Sequence, residues 1–382
     1  MISRIYIDNY NCFVNFEYQP GRLQLLMGSN GTGKTAVFDV LDSLRKLVVA
    51  GKSSVSAFPP GSSTAWDRRT EQTFELGLKG NGGEYHYRLV IDQSRAIRKN
   101  RIRSEEQNRI RSEELQFDRR RLYQFDGDEA HLFRDDGTTG SVFPFDSSQS
   151  AIATIPERKD NTLLTWFRWR LNRIFVFSPD PLRMVSRSEG EQLHPDRRLH
   201  QLASWIRHLQ LESPEISRQL NESLRQDGVA GCTGYKFSHQ GEGAYLLKFD
   251  FGSPDSDSSR NSTYTLRLDQ LSTGQRTMIA LFTILHAAVG ADLTLCIDEP
   301  DNYVALREIQ PWLIEVTDKV KDTGGQCLLI SHHPELIDYL AAECGTRFFR
   351  ENGGPVRVQP FEWTEDDVIR PAEVVARGWE SR

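Results

Sequence analysis

The chain has 382 residues, 38% hydrophobic and 26% charged, which is enough to bury a core and to build two lobes. Its formal net charge of −6 excludes a protein that coats nucleic acid indiscriminately, although a local basic patch can coexist with an acidic total. No run of about 18 uncharged apolar residues occurs, and the amino terminus carries no apolar stretch of signal-peptide length, so no membrane partner and a cytoplasmic location are expected.

In chain order, ISRIYIDNYNCFVNFEYQPGRLQLLM alternates apolar and polar residues in short runs around Pro20-Gly21, which predicts strands and hairpins. After Lys34 the spacing changes to Val37, Val40, Leu41, Leu44 and Leu47, one face of a helix. The glycine-rich segment between them therefore joins a strand to a helix. From about Thr73 to Pro144 the pattern is that of a β-meander, with turns at Asp126-Gly127 and Asp136-Gly137. Within it, Arg95 to Arg121 holds ten Arg or Lys against five Asp or Glu and contains a tandem repeat, NRIRSEEQNRIRSEEL, from Asn100 to Leu115. Two readings of that repeat stay open: a duplicated strand or hairpin with its charges in water, or a contact with a nucleic-acid backbone. A helix-leaning section follows from Gln149 to Arg225, in which Trp166, Trp169 and Leu171 are assigned to core rather than to base stacking. Strands return at GAYLLKFDF, and GSPDSDSSRNS, from Gly252 to Ser262, reads as a flexible surface loop. The late acids Glu365, Asp366 and Asp367 read as a solvated turn, and Cys12, Cys232, Cys296, Cys327 and Cys344 as buried thiols, since they are never spaced like a zinc site.

Four segments carry chemistry. Gly28-Ser29-Asn30-Gly31-Thr32-Gly33-Lys34-Thr35 has the order glycine, four residues, glycine, lysine, threonine. Its glycines let backbone N–H groups curl around phosphate oxygens, the helix start adds the positive end of its dipole, and Lys34 reaches the β and γ phosphates. Thr35 offers its hydroxyl to Mg²⁺, so ATP and Mg²⁺ are the expected cofactors. LTLCIDEPDNYV makes a buried strand ending in Asp298 and Glu299, where strand termini of open α/β sheets meet ligand. Asp298 suits the metal shell, and Glu299 is placed to accept a proton from the attacking water. LSTGQ, Leu271 to Gln275, precedes a long apolar helix, with Ser272 or Thr273 as its cap. GGQCLLISHH is a further buried strand, and a histidine at its end is a candidate γ-phosphate sensor.

GSNGTGKT, LSTGQ, CIDEP and ISHH, in that order, resemble the Walker A, signature, Walker B and switch-histidine set of the ABC-type ATPases. The opening strands with MGSNGTGKTAVFDVLDSL are similar to the SMC/RecF branch, and DEPDNYVALREIQPWL resembles the RecF-like bacterial ATPases of the AAA_15/AAA_21 type. The resemblance covers about residues 1–50 and 265–340. It implies an α/β P-loop NTPase, an ABC-ATPase-like head with a mixed β-sheet flanked by helices. The head's two parts would be 1–95 and 251–382, with a β-meander and helical lobe inserted at 96–250. It also implies a head-to-tail homodimer, or a higher homo-oligomer. In it, Ser272, Gly274 and Gln275 of one subunit close over ATP held by Gly28, Ser29, Asn30, Gly31, Thr32, Gly33, Lys34 and Thr35 of the other. By the same resemblance Lys34, Glu299 and His332, rather than His333, serve catalysis, and Mg²⁺ is held by Thr35, Asp298 and Gln149, the last as the Q-loop glutamine. Thr273 departs from the pattern, which usually has glycine there, and its side chain would crowd the partner's nucleotide.

The long gap between Ala36 and Gln270 is unlike a transporter subunit, and it holds neither sustained heptads nor a paired-cysteine hook. A nuclease, if used, is expected to act in trans. The expectation is an ATPase whose ATP-driven closure controls its grip on DNA or on a separate effector, in DNA repair or anti-phage defence. The competing expectation is an ATP-binding scaffold with negligible turnover.

Overall fold

A computed structural model of the chain describes residues 1–94, 108–252, 263–363 and 369–377. It divides into two compact units, one formed by Met1–Phe175, Asp292–Thr294 and Ile337–Arg382, the other by Val176–Ala291 and Leu295–Leu336.

In the first unit eight strands form one antiparallel sheet. Their order is Phe16–Tyr18, Ile2–Asp8, Glu71–Gly80, Gly83–Asp92, Arg109–Phe117, Arg120–Phe125, Glu129–Phe133 and Thr139–Pro144. Alternation puts Phe74, Leu76, Leu78, Tyr85, Tyr87 and Leu89 inside. The other face carries cross-strand ion pairs, Arg4–Glu75, Arg88–Glu75 and Arg121–Glu114, and a slip of one residue would exchange the two faces. Because Glu71–Gly80 pairs directly with Ile2–Asp8 (Ile5↔Leu76, Ile7↔Phe74), the meander extends the N-terminal sheet instead of forming a lobe of its own. The 96–250 lobe is accordingly divided: its strands as far as Pro144 belong to the first unit and its helices from Leu202 to the second. Asp126-Gly127 and Asp136-Gly137 do connect strands, with Gly127 and Gly137 at φ 107° and 85°.

The second copy of the tandem repeat lies in this sheet, where Arg111 pairs with Glu71 on the solvent face. The first copy, with most of the nucleic-acid contact expected around it, lies outside the described residues, as do most of the Ser/Asp-rich segment and the late acids.

Pro20-Gly21 is not a hairpin turn. Phe16–Tyr18 stays with Ile2–Asp8, whereas Leu23–Met27 pairs in parallel with Gly345–Arg350, itself antiparallel to Val356–Pro360. Pro20 lacks an N–H for the first ladder and ends it, so the chain enters a second, mixed sheet. Helix Lys34–Val48 then buries Val37, Val40, Leu41, Leu44 and Leu47 as the spacing predicts. In helix Thr162–Asn172, Leu164, Phe167 and Leu171 take the inward stripe. Trp169 is turned outward instead, 42% exposed, with the Arg173 guanidinium 4.5 Å from its ring centre. Trp166 is half-buried and stacks on Tyr85 at 4.9 Å.

In the second unit Thr294–Asp298 and Gln326–Ile330 are neighbouring, fully buried strands. Helix Thr273–Ala288 is buried without a break from Thr277 to Leu285, which makes it a core helix rather than an amphipathic one. Trp312 of helix Leu306–Thr323 donates its indole N–H to the Leu281 carbonyl at 2.9 Å, which fixes one helix against the other. A separate antiparallel sheet joins Arg187–Ser188, Tyr245–Phe251, Cys232–His239 and Tyr264–Arg267. All five cysteines are free thiols; Cys232, Cys296 and Cys327 are buried, whereas Cys12 and Cys344 are half-buried. Among the described residues no helix is long and apolar enough to cross a membrane.

Candidate functional site

In the first unit, the strand Leu23–Met27 buries Leu25, Leu26 and Met27 and delivers the chain into Gly28. Gly28 has φ 139°, and a Cβ there would lie 2.1 Å from the Phe348 carbonyl oxygen. Gly33, at φ 86°, is the first flanking residue of the helix, and its Cβ would lie 2.7 Å from the Phe13 ring and 2.8 Å from the Cys12 sulfur. Neither position admits a side chain. Gly31 at φ 79° is different, because its Cβ would meet nothing within 4 Å. Ser29, Asn30, Gly31 and Thr35 are exposed, while Thr32 and Lys34 are buried.

Thr32 closes the loop by donating its hydroxyl to the Ser29 carbonyl at 2.8 Å. The Lys34 ammonium curls back to donate to the carbonyls of Gly28 at 2.7 Å and Ser29 at 3.1 Å. The helix begins with no capping side chain and no acid in its first turn. The helix start, with the positive end of its dipole, therefore suits an external anion. This donor set fits a polyphosphate, and the exposed Thr35 hydroxyl fits a magnesium ion bound beside it. Gln149 is exposed in a turn, its N–H on the Asp146 carbonyl at 3.2 Å; among the described residues its side chain makes no hydrogen bond.

In the second unit, Asp298 ends its strand only 8% exposed, and its Oδ2 lies 3.5 Å from Nη2 of Arg197. Glu299 leaves the strand in the left-handed region, at φ 52°, with its N–H on the Ile330 carbonyl at 2.9 Å. A glutamate in that conformation costs roughly 1–2 kcal/mol, so its surroundings must hold it there. Its Oε1 lies 3.7 Å from Nε2 of His332, beyond hydrogen-bond distance but within ion-pair range. His333 has other work. Its N–H donates to the Ser331 hydroxyl at 2.9 Å, and its Nδ1 accepts the Glu335 N–H at 3.3 Å, at the start of the next helix.

The loop after Glu299 turns again through Tyr303 at φ 74°. A Cβ on Gly274 would lie 2.9 Å from the Tyr303 carbonyl oxygen, so this glycine allows the helix start and the acidic loop to approach. Ser272 and Gln275 form a reciprocal capping box: Ser272 Oγ accepts the Gln275 N–H at 3.2 Å, and Gln275 Oε1 accepts the Ser272 N–H at 3.0 Å. Thr273 is the first helical residue. Arg276 anchors this segment from behind, donating to the carbonyls of Leu271, Pro181 and Asp269 at 3.0, 3.0 and 2.8 Å.

The second unit therefore brings Glu299 to His332 and Gly274 to the acidic loop. Sequence reasoning missed Arg197. Its one signal was HPDRR, in which Pro195-Asp196 predicts a turn that presents two arginines. Among the described residues no group of three His, Cys, Asp or Glu is placed to hold a metal. Magnesium in a P-loop site needs no such cluster, since phosphate oxygens and water complete its shell.

Residues 25–338 match the family described as "AAA domain, putative AbiEii toxin, Type IV TA system". Among solved structures, the chain is similar to an SMC head domain from Thermotoga maritima, at 12% identity and a TM-score of 0.45, over 95% of this chain and 99% of that one. No curated protein matches it.

Proposed function

The chain belongs to this AAA-domain family, and from that premise we propose that it is a Mg²⁺-dependent ATPase whose ATP-driven head-to-tail dimerisation controls engagement of DNA or of a separate effector. The observation that carries the proposal is Glu299, a carboxylate held in a strained backbone at a buried strand end and faced by His332 at 3.7 Å. Strain of that kind persists where a side chain is needed at one place. Glu299 accepts the proton of the attacking water, and His332 answers to the transferred phosphate. Lys34 exchanges its two loop carbonyls for phosphate oxygens, and the N–H groups at the helix start hold the rest. Magnesium, when bound, would neutralise charge on the phosphate oxygens, and Thr35, Asp298 and Gln149 are the residues proposed to hold it. The family description, which names a putative toxin of a type IV TA system and no DNA-repair role, is compatible with the defence reading.

A second reading, ATP-driven assembly with negligible turnover, is favoured by one observation. The Ser272 hydroxyl and the Gln275 amide are already engaged with each other's backbone N–H, so the capping box would have to open before either met a partner's nucleotide. Steady-state hydrolysis with and without double-stranded DNA, with mass measured in ATP, separates the two. Stimulation by DNA together with an ATP-dependent dimer is expected. Slow, DNA-indifferent turnover in a particle whose mass ignores ATP would favour the scaffold. If DNA is bound through the basic repeat, replacing Arg98, Arg101, Arg103, Arg109 and Arg111 weakens binding and flattens its salt dependence.

A further inference from the structure

Arg197 is held in place by the fold. Its carbonyl accepts the Ser178 N–H at 2.8 Å, and the Arg198 carbonyl accepts the Asp180 N–H at 3.1 Å. The Asp196 to Leu199 turn is thereby fastened to the residues that follow the strand Ile174–Phe177, the neighbour of Thr294–Asp298 in its sheet. The Arg197 side chain is 26% exposed and that of Asp298 10%, so a largely buried carboxylate meets a partly exposed guanidinium. A carboxylate this far from water requires a counter-charge, and Arg197 supplies one.

We infer that Arg197 is the counter-ion of Asp298 in the nucleotide-free protein and competes with the divalent metal for that carboxylate, setting the metal concentration at which nucleotide is held. The inference rests on the reading of Asp298 as a magnesium ligand. A guanidinium within 4 Å shares the lone pairs that a metal needs and repels an incoming dication. Metal binding therefore carries the cost of displacing Arg197. The contact is 3.5 Å long and partly exposed, so that cost is modest, roughly three- to ten-fold in half-saturating metal. Arg197 acts through Asp298 and is a positioning residue. A role confined to stability would lower the melting temperature without moving the metal requirement.

The test is binding of a fluorescent, non-hydrolysable ATP analogue to the full chain, titrated with Mg²⁺. Arg197→Gln should half-saturate at roughly three- to ten-fold lower Mg²⁺ with unchanged analogue affinity at saturating Mg²⁺. Arg197→Lys, which keeps the charge, should stay within about two-fold of wild type, and Arg197→Met is a second neutral variant should the glutamine not fold. An unmoved midpoint in the neutral variants overturns the inference. So does weaker analogue binding at saturating Mg²⁺, which would make Arg197 a nucleotide ligand. Asp298→Asn separates the layers. If it shifts the midpoint upward while Arg197→Gln does nothing, the counter-ion role alone fails. If Asp298→Asn also leaves the midpoint in place, Asp298 is not the metal ligand and the reading beneath fails with it.

Discussion

The phosphate loop and the acidic strand end both call for left-handed backbone, and they fill it with different residues. The loop uses Gly28, Gly31 and Gly33 at φ 139°, 79° and 86°, whereas the strand end uses Glu299 and Tyr303 at 52° and 74°. Glycine adopts such angles without a steric cost and leaves its N–H open to a ligand, which is all a phosphate cradle asks of it. At the strand end the proposed chemistry belongs to the carboxylate, which accounts for a side chain where glycine would fit better. The Glu299 N–H donates to the Ile330 carbonyl, which holds the backbone there. The same backbone angle thus marks two kinds of site, one made by the main chain and one that keeps a side chain against its preference.

The contrast breaks most visibly at Gly33. Gly33→Ala places a Cβ against the Phe13 ring and the Cys12 sulfur at a positive φ, so it should cost about 3 kcal/mol or more and abolish nucleotide binding. Thermal unfolding and analogue binding measure both, and an alanine variant of wild-type stability would refute the packing described for the loop.

A smaller effect is expected from Glu113, whose carboxylate is costly through desolvation instead of backbone strain. It is buried in the sheet, and burial pushes its pKa up to about 7 from the ordinary 4.5, against the opposing pull of the Ser150, Tyr87 and Tyr123 hydroxyls. A carboxyl raised in the fold stabilises it fully below pH 4.5, and that contribution is lost as pH rises to about 7. Glu113→Gln should flatten this pH dependence, with a gain of roughly 2–3 kcal/mol over wild type above pH 7 relative to acid. Parallel stability curves for the two proteins across pH 4–8 would refute the assignment.

Smaller again, Glu299→Gly should relieve the left-handed strain and stabilise the protein by about 1 kcal/mol while hydrolysis is lost. The sign is opposite to that at Gly33, and a destabilised glycine variant would erase the comparison. The smallest stability effect belongs to His332→Ala. Its ring is 42% exposed, so stability should hold within about 0.5 kcal/mol while hydrolysis slows. Equal slowing in His333→Ala would move the role to the neighbour.

Much of this was legible in the sequence where the signal is local. The loop's glycine spacing, the helix stripe from Val37 to Leu47, the buried strand ending at Asp298 and the aspartate–glycine turns depend on residues a few positions apart. What stayed hidden depends on distant partners. Arg197 meets Asp298 only through the fold, and Glu113 lies inside because Tyr87 and Tyr123, from two other strands, bring their hydroxyls to it. Pro20-Gly21 looked like a hairpin because alternation shows a strand without showing which sheet receives it. A tryptophan in an apolar helix reads as core, although at Trp169 the stripe set by Leu164, Phe167 and Leu171 turns it outward. The left-handed Glu299 has no signal of its own, since no residue type there announces a positive φ.

The most direct test is ATP hydrolysis by Glu299→Gln against wild type, with the mass of each protein measured in ATP. The glutamine keeps the size of the side chain and removes its capacity to take a proton. Turnover should fall by about a hundred-fold or more while an ATP-bound dimer accumulates. Equal hydrolysis rates in the two proteins would show that Glu299 is not the base and would contradict the account.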